Sequence, residues 1–165
     1  MEVRQSTLKD LDDILKIYAH ARQEMIKNGN PNQWKDYHPR KEEVIKEIKE
    51  KKHFVVIYDK RICGCFSLIF GEDPTYKYIE KGEWLNDEPY ATIHKIASDN
   101  SVKGIFKCAI DFGFSKINNI RIDTHLDNKI MFHLLNEYGF TYCGTIYLLN
   151  QEPREAFQKY ILPVK

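Results

Sequence analysis

Two apolar runs, FVVIY (54–58) and ICGCFSLIF (62–70), are separated only by Asp59-Lys60-Arg61. That gap is far too short for the crossover that parallel strands require, so the runs pair as an antiparallel hairpin. Both are largely apolar, so both strands are largely buried and need cover from helices. A fold built around this hairpin must therefore place helical segments against a sheet.

The rest of the chain supplies them. Val3 to Gln5 reads as a short opening strand. Ser6 or Thr7 can cap a helix with Asp10 in its first turn. Leu11, Ile14, Leu15, Tyr18, Ala19, Met25 and Ile26 follow a helical period, and Gly29 can end it. A loop (30–39) follows, then a helix from Pro39 or Arg40 to about Lys52, with Glu42 and Glu43 near its start and Lys51 and Lys52 near its end, as the helix dipole prefers. The segment 71–89 shows no clear pattern beyond a short helix near 75–79. A loop of that length in a compact domain suggests a functional role.

After it come a strand (91–98) and a helix beginning near Val102 and keeping its period through Ile117. A strand (119–125) and a short helix striped by Ile130, Met131, Leu134, Leu135 and Tyr138 follow. Two strands (140–149 and 156–162) close the chain. The order is βααβββαβαββ, a mixed α/β (α+β) domain spanning 1–165 with helices covering a single sheet.

At 165 residues, with 42% apolar and 30% charged residues, the chain has enough material for a real core. Its formal net charge is +1 with the two signs interspersed, which points to neither a nucleic-acid nor a membrane-surface partner. No signal peptide or membrane-spanning run is read, so a cytoplasmic location is expected. Cys63, Cys65, Cys108 and Cys143 match no zinc spacing; they read as reduced core cysteines, and no metal is expected. Cys63 and Cys65, two apart, are expected on one face of a strand.

The turn Asp99–Gly104 feeds the helix that follows the 91–98 strand. A helix start exposes free backbone N–H groups and the positive end of the dipole, a ready anion site. Gly104 allows close approach and Lys103 adds charge. Either a phosphate site or a packing glycine is compatible with this pattern.

The wider arrangement, IHKIAS–SVKGIF–helix–RIDT–HLDN and then EYGF (137–140), resembles the cofactor-binding half of the GNAT-type N-acetyltransferase superfamily. The preceding helix pair and hairpin match the remainder, so the resemblance covers essentially the whole chain. It looks closest to bacterial members with segments like NGNPNQW (28–34), GEDPTY (71–76) and WLNDEPY (84–90), a subset that implies no particular acceptor. The resemblance implies a mostly antiparallel mixed sheet with helices on both faces and splayed central strands. It implies acetyl-CoA as co-substrate and transfer of the acetyl group to a primary amine of a small molecule or peptide. A homodimer is left open.

The superfamily's pyrophosphate loop corresponds to Ser101, Val102, Lys103, Gly104, Ile105 and Phe106. Ser101 stands where a Gln or Arg is usual, and Phe106 where a small residue is usual. By the same resemblance the pantetheine arm hydrogen-bonds like an added strand along Ile96, Ala97 and Ser98, with Asn128 and Met131 at the following helix start also contacting the cofactor.

Amide formation from a thioester needs a neutral amine, a donor for the developing oxyanion and a proton for the departing thiolate. His94 occupies the position where many relatives carry Glu. An imidazole suits the work of a general base, and a hydrogen-bonded structural histidine is the other reading. Strand alternation puts His94 on one face with Ile96 and Ser98. Leu135 stands where the usual Tyr acid would be. His133 and Tyr138 are nearby but about 140° apart around the helix, and His133 is the candidate acid. Trp34, Tyr76 and Trp84 from the two long loops, with Asp123 and His125 from the neighbouring strand, are candidates to line the acceptor site; burial of the aromatics as loop anchors, and cross-strand pairing for Asp123 and His125, are the alternatives. The departures at Phe106 and Leu135 keep a second reading open, a non-catalytic acyl-CoA-binding module.

Overall fold

The computed structural model describes residues 1–163. The two apolar runs form β2 (His53–Tyr58) and β3 (Arg61–Phe70), paired antiparallel. Together with β1 (Glu2–Gln5), β4 (Ala91–Ser98), β5 (Asn119–Thr124), β6 (Thr141–Tyr147) and β7 (Pro153–Tyr160) they make a sheet of order β1-β2-β3-β4-β5-β7-β6. All neighbours are antiparallel except β4 and β5, which are parallel. Four α-helices complete the fold: α1 (Leu11–Lys27), α2 (Lys41–Lys49), α3 (Ile105–Phe114) and α4 (Lys129–Glu137). None of the described helices is long and apolar enough to cross a membrane.

Alternation along the strands sorts the core into two layers. Val55, Cys65 and Ala97 meet Ile14, Ile17 and Tyr18 of α1 and Val44 and Ile48 of α2. On the opposite face Val56, Phe66, Leu68, Ile93, Ile120 and Ile122 meet Ile105, Ala109 and Ile110 of α3 and Leu135 of α4. Each fully buried aliphatic or aromatic side chain contributes about 2 kcal/mol. The irregular segment after β3 continues the first layer: its Tyr76 and Tyr90 pack with Ile146 of β6 and Ala156 of β7.

Several boundaries differ from the sequence reading. Thr7 and Asp10 do interact, the Asp10 carboxylate accepting the Thr7 N–H at 2.8 Å, but they close a 3-10 turn (Leu8–Asp10) and α1 starts at Leu11. The expected helix near 75–79 is a 3-10 turn, Pro74–Tyr76. The second helix stops at Lys49, and β7 starts at Pro153. The third helix starts at Ile105, not Val102. Asp99 caps the turn by accepting the Ser101 N–H at 2.9 Å, and Gly104 takes the left-handed conformation (φ 95°), which interrupts any helix running through it.

Two irregularities change which way side chains face. Between Val56↔Gly64 and Ile57↔Ile62 the β2–β3 register shifts at Cys63. Cys63 therefore joins the α3 layer while Cys65 joins the α1 layer, so the two cysteines face opposite sides. On β4, Ala97 pairs with Cys65 but His94 with Ser67, so Lys95 and Ile96 together oppose Phe66. Lys95 carries the extra residue at φ 56°, a β-bulge. His94 consequently shares the α1–α2 face with its partner Ser67, which bonds Glu47 of α2, whereas Ile96 packs into the α3 layer. The expected common face of His94 and Ile96 is thus broken by the bulge.

The bulge lies where β4 leaves β5. Their pairing is confined to Ala91↔Ile120 and Thr92↔Arg121. Beyond these residues the strands part and leave a cleft of about 630 Å³ between them.

Beside α1, His53 is wholly buried, with Nδ1 2.7 Å from Ser6 Oγ and Nε2 2.8 Å from Tyr18 Oη. Burial holds this imidazole down at about 4, against an ordinary 6.5. The unfolded chain therefore takes up a proton that the folded chain refuses, and stability falls as pH drops from 6.5 towards 4. At 1.36 kcal/mol per unit this amounts to about 3 kcal/mol. Melting temperature measured across that window should decline in the wild type and decline less steeply in His53→Gln, which retains hydrogen bonding without titrating.

Candidate active site

The cleft has one wall from the α1–α2 loop, a floor from the parted halves of β4 and β5, and a far wall from the β6–β7 hairpin. His94 enters it from β4, with Nε2 3.6 Å from Asp73 Oδ2. Asp73 follows β3 and is fixed from three sides. Its Oδ1 accepts the Thr75 N–H at 2.9 Å and the Thr75 hydroxyl at 2.7 Å, while its own N–H donates to the Tyr90 hydroxyl at 2.8 Å. Burial alone would raise its carboxyl, but the imidazole and the two Thr75 donors outweigh it and bring it to about 2. Asp73 is thus ionised at neutral pH beside the imidazole. The adjacent Lys95 is held by Glu47, Nζ to Oε2 3.0 Å, and Glu47 also accepts from Ser67 at 2.7 Å.

Gln33 ties the loop wall across the cleft. Its Oε1 accepts Asn128 Nδ2 at 2.9 Å, Asn30 Nδ2 at 2.8 Å and Thr124 Oγ1 at 3.4 Å. Asn128 Oδ1 meanwhile caps α4 by accepting the Met131 N–H at 3.0 Å, so both ends of that side chain are taken by the protein. Met131 and Trp34 line the cleft; Trp34 is 6% exposed and packs edge-on against Tyr18. Asp123 also lines it, accepting the Tyr76 hydroxyl at 2.5 Å.

The remaining candidates lie elsewhere. Tyr76 is buried behind Asp123, and Trp84 donates its Nε1 to the Tyr76 carbonyl at 2.9 Å. Trp84 and Tyr90 each approach the Arg121 guanidinium at 4.0 Å, so these aromatics anchor the long segment to β5 and do not face the cleft. His133 projects from the outer side of α4, its side chain 78% exposed, 3.5 Å from Glu137; the inward stripe of that helix is Met131, Leu134 and Leu135. His125 is half-buried just past β5 and does not line the cleft; its Nδ1 accepts the Asp127 N–H, and burial and the charge of Arg154 lower its pKa. Leu135 is wholly buried.

At the other end of the parted strands, the backbone N–H groups of Val102, Lys103, Gly104, Ile105, Phe106 and Lys107 have no partner among the described residues. The first turn of α3 thus presents a row of free donors at the positive end of its dipole. The Phe106 ring is turned into the core against Tyr138, centroids 5.3 Å apart, and Ile105 is likewise buried. Only their backbone faces outward. Ala97 points into the α1 layer, and Ser98 Oγ accepts the Asn100 N–H, so at Ile96–Ser98 the backbone edge freed from β5 is what remains for a ligand.

Asp73, Gln33, Lys35, Glu152 and Arg154 line the cleft without having been expected there. Asp73 lies in the GEDPTY segment, an irregular stretch in which nothing sets it apart from its neighbours. Arg154 carried no signal, because an arginine beside Glu152 and Glu155 reads as a solvated face.

No protein-family model and no curated protein matches the sequence. Solved structures do, and they carry the architecture of an acetyltransferase. A GNAT family acetyltransferase from Streptococcus agalactiae is 30% identical, with 98% of this chain and 96% of that chain covered and a TM-score of 0.89. The chain belongs to the GNAT family of acetyltransferases. A GNAT family acetyltransferase from Listeria monocytogenes shares the fold at 18% identity (97% and 94% covered, TM-score 0.72). So does yncA, a putative acetyltransferase from Salmonella typhimurium crystallised with its cofactor acetyl-CoA, at 12% identity (100% and 96% covered, TM-score 0.64).

Trp84→Ala should lower stability by about 2–4 kcal/mol through the lost packing on Arg121 and Tyr76. Thermal unfolding should register the loss, and steady-state kinetics should show no selective rise in the KM of the acceptor.

Proposed function

We propose that the protein transfers an acetyl group from acetyl-CoA to a primary amine of a small molecule or peptide. The observation that carries this reading is the row of unpartnered N–H groups at the start of α3, standing at the end of two strands that have parted. The residues present fit the group: the donors suit a diphosphate, Gly104 adds no side chain beside them and has only the flexible Met1 terminal methyl near it, and Phe106 is turned away. When bound, acetyl-CoA supplies the acetyl group as an activated thioester.

The chain's own residues do the rest. The N–H groups of 102–107 hold the diphosphate. The β4 edge at Ile96 to Ser98 receives the pantetheine arm as an added strand. His94 takes the proton from the acceptor nitrogen, directly or through one water, and the ionised Asp73 orients the ring and supports the positive charge it gains. Asp73 is in this sense a positioning residue. Asp123 adds negative charge where an ammonium would arrive. Leu135 is aliphatic and buried and has no proton to give, so solvent protonates the departing thiolate.

Acetyl-CoA at about a hundred times its Kd should stabilise the fold by about 2.7 kcal/mol and raise the melting temperature. Gly104→Glu places bulk and negative charge at the donors and should abolish that shift; a retained shift would move the diphosphate to another place.

CoA release that depends on added amine is the direct assay of the transfer itself. His94→Gln should lower kcat by about 10²-fold or more, leave acetyl-CoA affinity nearly unchanged, and remove the rise of rate with pH. Asp73→Asn should lower kcat with little effect on acetyl-CoA KM. Near-wild-type activity and an unaltered pH profile in His94→Gln would make His94 structural.

A further inference from the structure

The cleft is polar in the electrical sense. Around His94, which enters the cleft from β4, stand Asp73 and Asp123. At the β6–β7 end stand Lys35 and Arg154, both in contact with Glu152, while Asp36, Arg40 and Glu43 of the loop wall also line the cleft. The other cation on the floor, Lys95, is already neutralised by Glu47.

Arg154 is the unusual member of this set. It is 5% exposed, sits on β7 and lines the cleft. Its Nη1 donates to the Pro153 carbonyl at 2.8 Å, and its Nη2 reaches Glu152 only at 3.4 Å. Its Nε makes no hydrogen bond among the described residues and is not sealed from solvent. Glu152 is shared, since Lys35 Nζ also contacts it. A buried guanidinium normally has a full counter-charge, usually a carboxylate in a two-pronged contact. Here the protein provides half of one. The positive field of Arg154 extends along this end of the cleft: after burial, it is among the causes that lower the pKa values of both His38 and His125.

We propose that the basic end of the cleft, centred on Arg154, binds a carboxylate of the acceptor, which makes the acceptor a small zwitterionic amino acid or related amino carboxylate. This rests on the acetyl-transfer reading, in which the amine meets His94. The ammonium end then lies at Asp73 and Asp123 and the carboxylate end at Arg154 and Lys35, so the dipole of the ligand runs along that of the cleft. β7 is two strands from β4, and both side chains extend into the one cleft that opens where β4 and β5 part. Guanidinium also matches carboxylate geometry better than an ammonium does.

The test compares each standard amino acid with its own carboxamide in the CoA-release assay. Wild-type enzyme should favour the acid by at least about tenfold in kcat/KM. Arg154→Gln should reduce kcat/KM for the acid by about 10²-fold and leave that for the amide within about threefold. Equal use of acid and amide by the wild type overturns the proposal, as does an equal loss on both in a variant that melts like the wild type. Should Arg154→Gln fail to fold, the wild-type acid-to-amide ratio decides alone. A second measurement separates this proposal from the transfer reading beneath it. If acetyl-CoA binds but no amine of either kind supports turnover, the transfer reading fails. The stabilisation of the CoA-loaded protein by N-acetyl amino acids against N-acetyl amino amides then decides: preference for the acids upholds the carboxylate site, and no preference sinks it.

Discussion

Ala91↔Ile120 and Thr92↔Arg121 are the ladder pairs that join β4 to β5, and everything proposed for the cleft follows from the pairing ending there. The extra residue at Lys95 twists β4 just beyond that point, and α2 secures the twist through the Lys95–Glu47–Ser67 contacts. Were β4 to continue alongside β5, its outer edge would be spent on ladder hydrogen bonds and the cleft would be filled by sheet. Parting the strands exposes backbone donors and acceptors, which a buried structure tolerates only where a ligand or solvent can reach them.

The same bulge turns His94 towards the α1–α2 side, where Asp73 waits. Asp73 is itself held by distant parts of the chain, since Tyr90 binds its N–H and Tyr90 stacks on Arg121 of β5. The aromatic and cationic cluster under the long segment therefore positions the site without entering it. Gln33 plays the corresponding part on the opposite wall, joining the α1–α2 loop to the cap of α4.

Much of the fold was legible in the residues. The hairpin and the strand and helix order arise from local periodicity and local turn chemistry, and the place of Asn128 at the head of α4 follows from the family resemblance. What escaped were effects of register and of distance. The faces of Cys63, Cys65 and His94 depend on bulges, which leave no mark in an apolar pattern. Tyr76 and Trp84 look like ligand-binding aromatics until Arg121, on a strand well downstream, is seen to engage Trp84. His133 looked promising because only the helix's orientation reveals that it faces outward. Arg154 was invisible because burial of a charge is a property of the assembled cleft.

The row of free donors at the start of α3, proposed above to hold the diphosphate, is made of main chain, while the side chains at 105 and 106 serve the core. Its usefulness is then almost independent of which letters spell it, provided position 104 can adopt its left-handed turn. A binding site written in peptide groups can drift far in sequence while its shape persists, and kinship among such proteins is preserved in the path of the chain long after it has faded from the alphabet.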